Sequence, residues 1–344
     1  MSRFALLFIL IISAGPFLQG QDITFSDQPK EGPGGSNYNF PHVSITDRSE
    51  NPTGFVLFEP FDSAQMKGPE VAPVVIFMHG YGAYNPMVYG RWIEHLVKKG
   101  NIVIFPRYQK NLFSPSPDEF VANTVVGIRG ALDTLCSQGH VLPDTSTVTM
   151  VGHSFGGAII ANILGNWKTF EIPKPKGAFL ASPGTGPFKF GLETYENIPE
   201  DISLLIMVSS GDKTVGDAFG IQVFETAVNT PNRNLLRQTE DDYGSPSISH
   251  GHNESYAVLE DFDNGDHGFS YQRSKLSSVD VVDFYGYWKL MDALNNCVRL
   301  GEDCNYAFGN TPEQIYLGEW SDGTPVKPLD VLVPQKSEAQ VSRK

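Results

Sequence analysis

The sequence's most pointed chemistry lies in six residues, Gly-His-Ser-Phe-Gly-Gly at 152–157. They join the β-branched run TVTMV (147–151) to the small-residue run AIIANILG (158–165), so that a G-x-S-x-G pattern falls where a strand hands over to a helix. That context can hold a serine hydroxyl above a sheet as a nucleophile. The turn leaves room for almost no side chain beside Ser154, which accounts for Gly152 and Gly156. A helix starting at once aims the amide of Phe155 into the same space, where it can bind an oxyanion. The plainer alternative is a packing turn whose serine caps the helix. A second glycine-rich turn, HGYG (79–82), ends the apolar run VVIFM (74–78) and offers the amide of Tyr81 as the second oxyanion donor. Taken alone, HGYG would read as an ordinary strand-to-helix turn. Its place upstream of the serine is what gives it weight.

These turns need a sheet to position them. APVVIFMHG (72–80) and NIVIFP (101–106) are continuous apolar runs, as central strands buried on both faces are. PMVYGRWIEHLVKKG (86–100) between them has helical periodicity and a terminal glycine. A helix over 118–136, the strands GAFLAS (177–182) and ISLLIMVSS (202–210), and a helix near 217–228 continue the alternation. The strand NLLRQT (234–239) and a last helix around 279–296 complete it, with HVSIT and TGFVLFEP as two earlier strands. Strands alternating with helices predict a doubly wound, mostly parallel α/β sheet. Without an internal repeat or low-complexity linker, one domain over 41–335 is expected, with loops 183–200 and 241–278 as insertions.

These segments resemble the α/β-hydrolase superfamily. Within it, HGYG through PRYQ (79–109) and GHSFGG are similar to dienelactone hydrolases, chlorophyllases and cutinase-like bacterial esterases. The closing stretch, from DFYGYWKLMDAL to GEWSDGTPVKPL, resembles exported bacterial hydrolases. The resemblance implies a Ser–acid–His triad in that chain order and no cofactor. The acid is expected after the strand that follows GAFLAS, where SLLIMVSSGDKTVGD offers Asp212 and Asp217. Asp212 stands at the strand end beside Gly211 and matches the superfamily position, while Asp217 suits a helix start. For the base, His79 and His153 lie in the motif loops, and His42, His95 and His140 come too early. His250, His252 and His267 remain. The loop EDDYGSPSISHGHNES (240–255) directly follows the strand after the acid's helix, which favours His252. His267 is the alternative, because GDHGF resembles the His-Gly-Phe turn of other dienelactone-hydrolase relatives.

The expected reaction is carboxylic-ester hydrolysis through an acyl-enzyme, on a small-molecule or polymeric ester. A peptidase or thioesterase would use the same groups, and a binding protein on a hydrolase fold is the non-catalytic alternative. The 344 residues carry a net charge of −14, which disfavours nucleic acid as a partner. Residues 1–20 read as a secretory signal, with Arg3 before an apolar stretch shorter than the ~20 residues of a bilayer span. An exported protein without a transmembrane span is expected, with a polar arm over 21–40 and a polar tail over 336–344. Three cysteines are too few for a disulfide scaffold, and the two late ones lack partners at zinc spacing, so no metal site is expected. Cys297 and Cys304 are placed to pair, and Cys136 reads as a small buried residue.

Overall fold

A computed structural model of the chain describes residues 23–113, 116–267 and 278–332. The expected signal segment and the polar tail lie outside these residues, as do the ends of the arm and of the domain. Among the described residues nine strands form one sheet in the order β1-β2-β4-β3-β5-β6-β7-β8-β9. They are β1 (His42–Arg48), β2 (Phe55–Phe61), β3 (Val71–Met78), β4 (Ile102–Pro106), β5 (Leu142–His153), β6 (Gly177–Ala181), β7 (Ser203–Ser209), β8 (Arg233–Gln238) and β9 (Asp330–Leu332). Neighbours from β4 through β8 pair in parallel, whereas β1, β2 and β9 run antiparallel at the two edges. The mostly parallel α/β architecture expected from the alternating pattern is therefore present.

Alternation along the central strands divides the core in two. On β3, Val75 and Phe77 face one layer while Val74, Ile76 and Met78 face the other, as the period of a strand requires. The first layer contains helix α1 (Gly90–Lys98) and the segment 281–294. The second contains α2 (Pro117–Leu135), α3 (Phe155–Gly165) and α4 (Ala218–Thr226). Helix α2 starts with proline in its first turn, followed by Asp118 and Glu119, which suit the positive end of the helix dipole.

The last long helix departs from the sequence expectation. Val282–Trp288 is π-helical and only Lys289–Leu300 is regular α-helix (α5). Short helices α6 (Cys304–Ala307) and α7 (Pro312–Ile315) follow, and a disulfide joins Cys297 to Cys304 across the turn. Inside the first layer, His95 on α1 donates from Nε2 to Asp292 Oδ2 on α5 at 2.9 Å, so this histidine is a packing residue. Cys136 corrects the expectation of burial. It is exposed, because as the residue after the buried Leu135 it turns away from the sheet at the end of α2. No helix among the described residues is long and apolar enough to cross a membrane.

The chain runs from β3 out to β4, then returns to the other side of β3 to form β5. Strand order thus reverses at β3, and the crevice at the carboxyl ends of strands beside such a switch point is where α/β sheets bind ligands.

Candidate active site

Three of the carboxyl ends on that side of the sheet, and the loop after β8, bring the expected residues together. Ser154 follows β5 directly, with φ 55° and ψ −122°. A non-glycine residue rarely adopts such a positive φ, and the strain lifts the hydroxyl off the sheet. The neighbouring glycines are steric requirements. A Cβ on Gly156 would lie 2.4 Å from Met78 O, and one on Gly152 would lie 2.7 Å from Gly156 C. The elbow is pinned from the next strand, because Ser154 N–H donates to Ala181 O at 3.0 Å.

Asp212 sits just past the end of β7, with its side chain fully buried. Its Oδ1 accepts from the amides of Thr214 (2.8 Å) and Val215 (3.0 Å), which leaves Oδ2 for His252 Nδ1 at 2.7 Å. Burial pushes this carboxyl up, but the His252 hydrogen bond and charge, with the two amides, hold it below the usual carboxylate value. An ionised carboxylate can only accept, so Nδ1 carries the imidazole hydrogen. Nε2 is then the acceptor that faces Ser154 Oγ at 2.8 Å.

The loop carrying His252 is held at several points. Glu254 Oε1 accepts from Gly251 N at 2.9 Å and from Ser249 Oγ at 2.6 Å. Gly211 N–H donates to His250 O at 3.1 Å, and a Cβ at Gly211 would overlap the His250 ring at 2.1 Å. His250 therefore seats the base-bearing loop against the acid-bearing one. His267 lies elsewhere, with Nε2 2.8 Å from Asp263 Oδ2, and is not among the residues lining the pocket at Ser154. Asp217 stands at the start of α4, paired with Arg237 at 2.6 Å, and not beside His252.

On the opposite side of Ser154, Gly80 N–H donates to Tyr89 Oη at 2.9 Å and Gly82 N–H to Gln109 Oε1 at 2.8 Å. Among the described residues no acceptor takes the Tyr81 amide between them, nor the Phe155 amide at the first position of α3. Both residues line the same pocket as Ser154 and His252. A serine hydroxyl facing an imidazole that a carboxylate holds, with two amides that have no acceptor among the described residues, is an arrangement that can serve acyl transfer.

Sequence reasoning missed the work of His153. Burial, and then the neighbouring His252, push its imidazole down to about 3, so it is neutral. Its Nε2–H donates to His252 O at 2.8 Å, and its Nδ1 accepts from Tyr89 Oη at 2.9 Å. The residue is visible in the motif, but its partners lie 64 and 99 residues away along the chain.

The family model Chlorophyllase matches residues 39–172. The match spans HGYG and GHSFGG and ends before Asp212 and His252. No curated protein gives a match to the chain. The chlorophyllase-like segment runs from β1 to the end of α3, and with the mostly parallel sheet of the described residues it is consistent with the α/β-hydrolase fold.

Proposed function

We propose that the protein is a serine hydrolase of carboxylic esters, with Ser154 as nucleophile, His252 as general base and Asp212 as its orienting acid. One observation carries this reading: a single imidazole lies 2.8 Å from Ser154 Oγ and, through its other nitrogen, 2.7 Å from a buried carboxylate. His252 Nε2 takes the hydroxyl proton as Oγ attacks the acyl carbon. The oxygen that becomes negative is received by the amides of Tyr81 and Phe155. When the tetrahedral intermediate collapses, His252 returns the proton to the departing alcohol. Water then repeats the sequence on the acyl-enzyme, releasing the carboxylic acid and free Ser154. Asp212 stabilises the imidazolium present in both halves without taking its proton.

The test is hydrolysis of p-nitrophenyl butanoate by the wild type and Ser154→Ala. Loss of a covalent nucleophile costs on the order of 10⁶ in turnover. The variant should have no activity above background while keeping the wild-type circular dichroism spectrum. Turnover within about tenfold of wild type would remove Ser154 from this role.

A further inference from the structure

The pocket in front of Ser154 is lined by two chemically different sets of residues. One is His252, Asn253 and Thr214. The other is an aromatic end, where the rings of Tyr81, Phe155 and Phe188 meet one another. The reaction assigned above gives these sets separate roles. The leaving alcohol must depart beside His252, which protonates it. The carbonyl oxygen must point at the Tyr81 and Phe155 amides. The remaining substituent of the reacting carbon, the acyl chain, is then directed away from His252 and onto the aromatic end.

That end is small and braced. The cavity measures about 200 Å³, below the roughly 300–1,000 Å³ of pockets that enclose drug-sized ligands. Phe188 forms its wall, 5.2 Å from the Tyr81 ring and nearly parallel to it, and 6.0 Å edge-on from Phe155. Phe190 packs behind, 4.8 Å from Phe155. The segment that carries Phe188 is closed on itself: Phe188 N–H donates to Thr185 O at 3.2 Å and Thr185 Oγ1 to Phe188 O at 3.0 Å. It is also tied to the nucleophile, because Gly184 N–H donates to Ser154 O at 3.2 Å. Tyr81 is fixed from the other side by its hydroxyl, which donates to Leu112 O at 2.9 Å. A wall held at this many points does not retreat freely before a longer chain.

The geometry points to esters of short-chain carboxylic acids as the substrate class, with Phe188 as the residue that sets the upper limit of acyl length. This inference rests on the serine-hydrolase reading. It adds the orientation of the substrate in the pocket and the residue that selects it. One methylene too many in a hydrophobic pocket costs roughly 10–200-fold in kcat/KM.

The experiment measures kcat/KM for the p-nitrophenyl esters of acetic, butanoic, hexanoic and decanoic acids, using the wild type, Phe188→Ala, Phe188→Leu and Phe188→Trp. Ratios taken within one variant are independent of the fraction of molecules folded. In the wild type the decanoate-to-butanoate ratio should be about 0.1 or lower. Phe188→Ala should raise that ratio at least about tenfold, Phe188→Leu less, and Phe188→Trp should move the preference toward acetate. A wild-type profile that is flat or rises to decanoate overturns the inference, as do variants that all keep the wild-type ratio. In either case, loss of hydrolysis in Ser154→Ala leaves the underlying reaction standing. Hydrolysis that persists in Ser154→Ala overturns that reaction and the inference together.

Discussion

His153 donates its Nε2 hydrogen to the carbonyl oxygen of His252, so the residue beside Ser154 holds the proposed base by its backbone. The connection continues through Tyr89, whose hydroxyl donates to His153 Nδ1 and accepts the Gly80 amide next to Tyr81. Because burial keeps His153 neutral, each hydrogen along this line has one consistent direction. The loop that carries Tyr81 and the loop that carries His252 are thereby set at a fixed separation.

Tyr89→Phe keeps the ring among its aromatic neighbours and removes both of these hydrogen bonds. We expect kcat to fall about tenfold with KM little changed, because geometry of the reacting groups is lost and not general binding. His153→Phe should fall at least as far. The double variant should be no worse than the poorer single one, since both changes break one line. Strictly additive losses, or a Tyr89→Phe enzyme within twofold of wild type, would show that the two residues only pack.

Asp212→Asn tests the orienting acid. The amide can donate to His252 Nδ1 and so favour the wrong tautomer, which predicts a loss on the order of 10⁴ in kcat. The pH direction follows from the lowered carboxyl of Asp212. Its stabilising contribution is present above the unfolded carboxylate value and is lost only as pH falls through the lower folded value. Any acid loss of activity between pH 4 and 9 should therefore reflect another group, and stopped-flow assays across that range should show no transition at Asp212. An Asp212→Asn enzyme with near-normal turnover would remove the residue from the mechanism.

A pair of carboxyls behind the His252 loop carries the opposite sign. Asp283 is fully buried, and its Oδ2 accepts from Asp280 N at 3.0 Å, while its Oδ1 has no partner among the described residues. Burial, joined by Glu254, pushes Asp280 up to about 6, and burial with Asp280 beside it raises Asp283 well above the usual value. The folded protein retains these protons longer than the unfolded chain, so stability falls as pH rises from about 4 through about 6. Asp283→Asn should narrow the difference in stability between pH 4.5 and pH 8, read by urea unfolding. The same pH dependence in variant and wild type would contradict this account.

The nucleophile turn and the central strands were legible because their determinants are local. The steric demands on Gly152 and Gly156 and the apolar runs of β3 and β4 are all written in adjacent residues. The choice of Asp212 over Asp217 rests on the position that the α/β-hydrolase resemblance implies, and the structure sets Asp212, not Asp217, against His252. Other features depend on distant partners. Three-residue β9 has too little length to show a period and exists by pairing with Leu235–Arg237. The π-helical turn at Val282–Trp288 carries the same apolar spacing as the α-helix it was expected to be. Cys136 faces solvent against expectation because one residue's rotation at a helix end exchanges core for solvent. The line from Gly80 to His252 joins three separate elements, so no short window of sequence contains it.

The central claim is that Ser154 is activated by His252. It is tested most directly by mapping the adduct of a fluorophosphonate, which reacts with activated serines. Intact-mass and peptide analysis of the wild type should show one addition, on the peptide containing Ser154. Ser154→Ala should show none, His252→Ala should label at least about 10³-fold more slowly, and His267→Ala should label at close to the wild-type rate. An adduct on another serine, or slow labelling in His267→Ala with near-normal labelling in His252→Ala, would contradict the account.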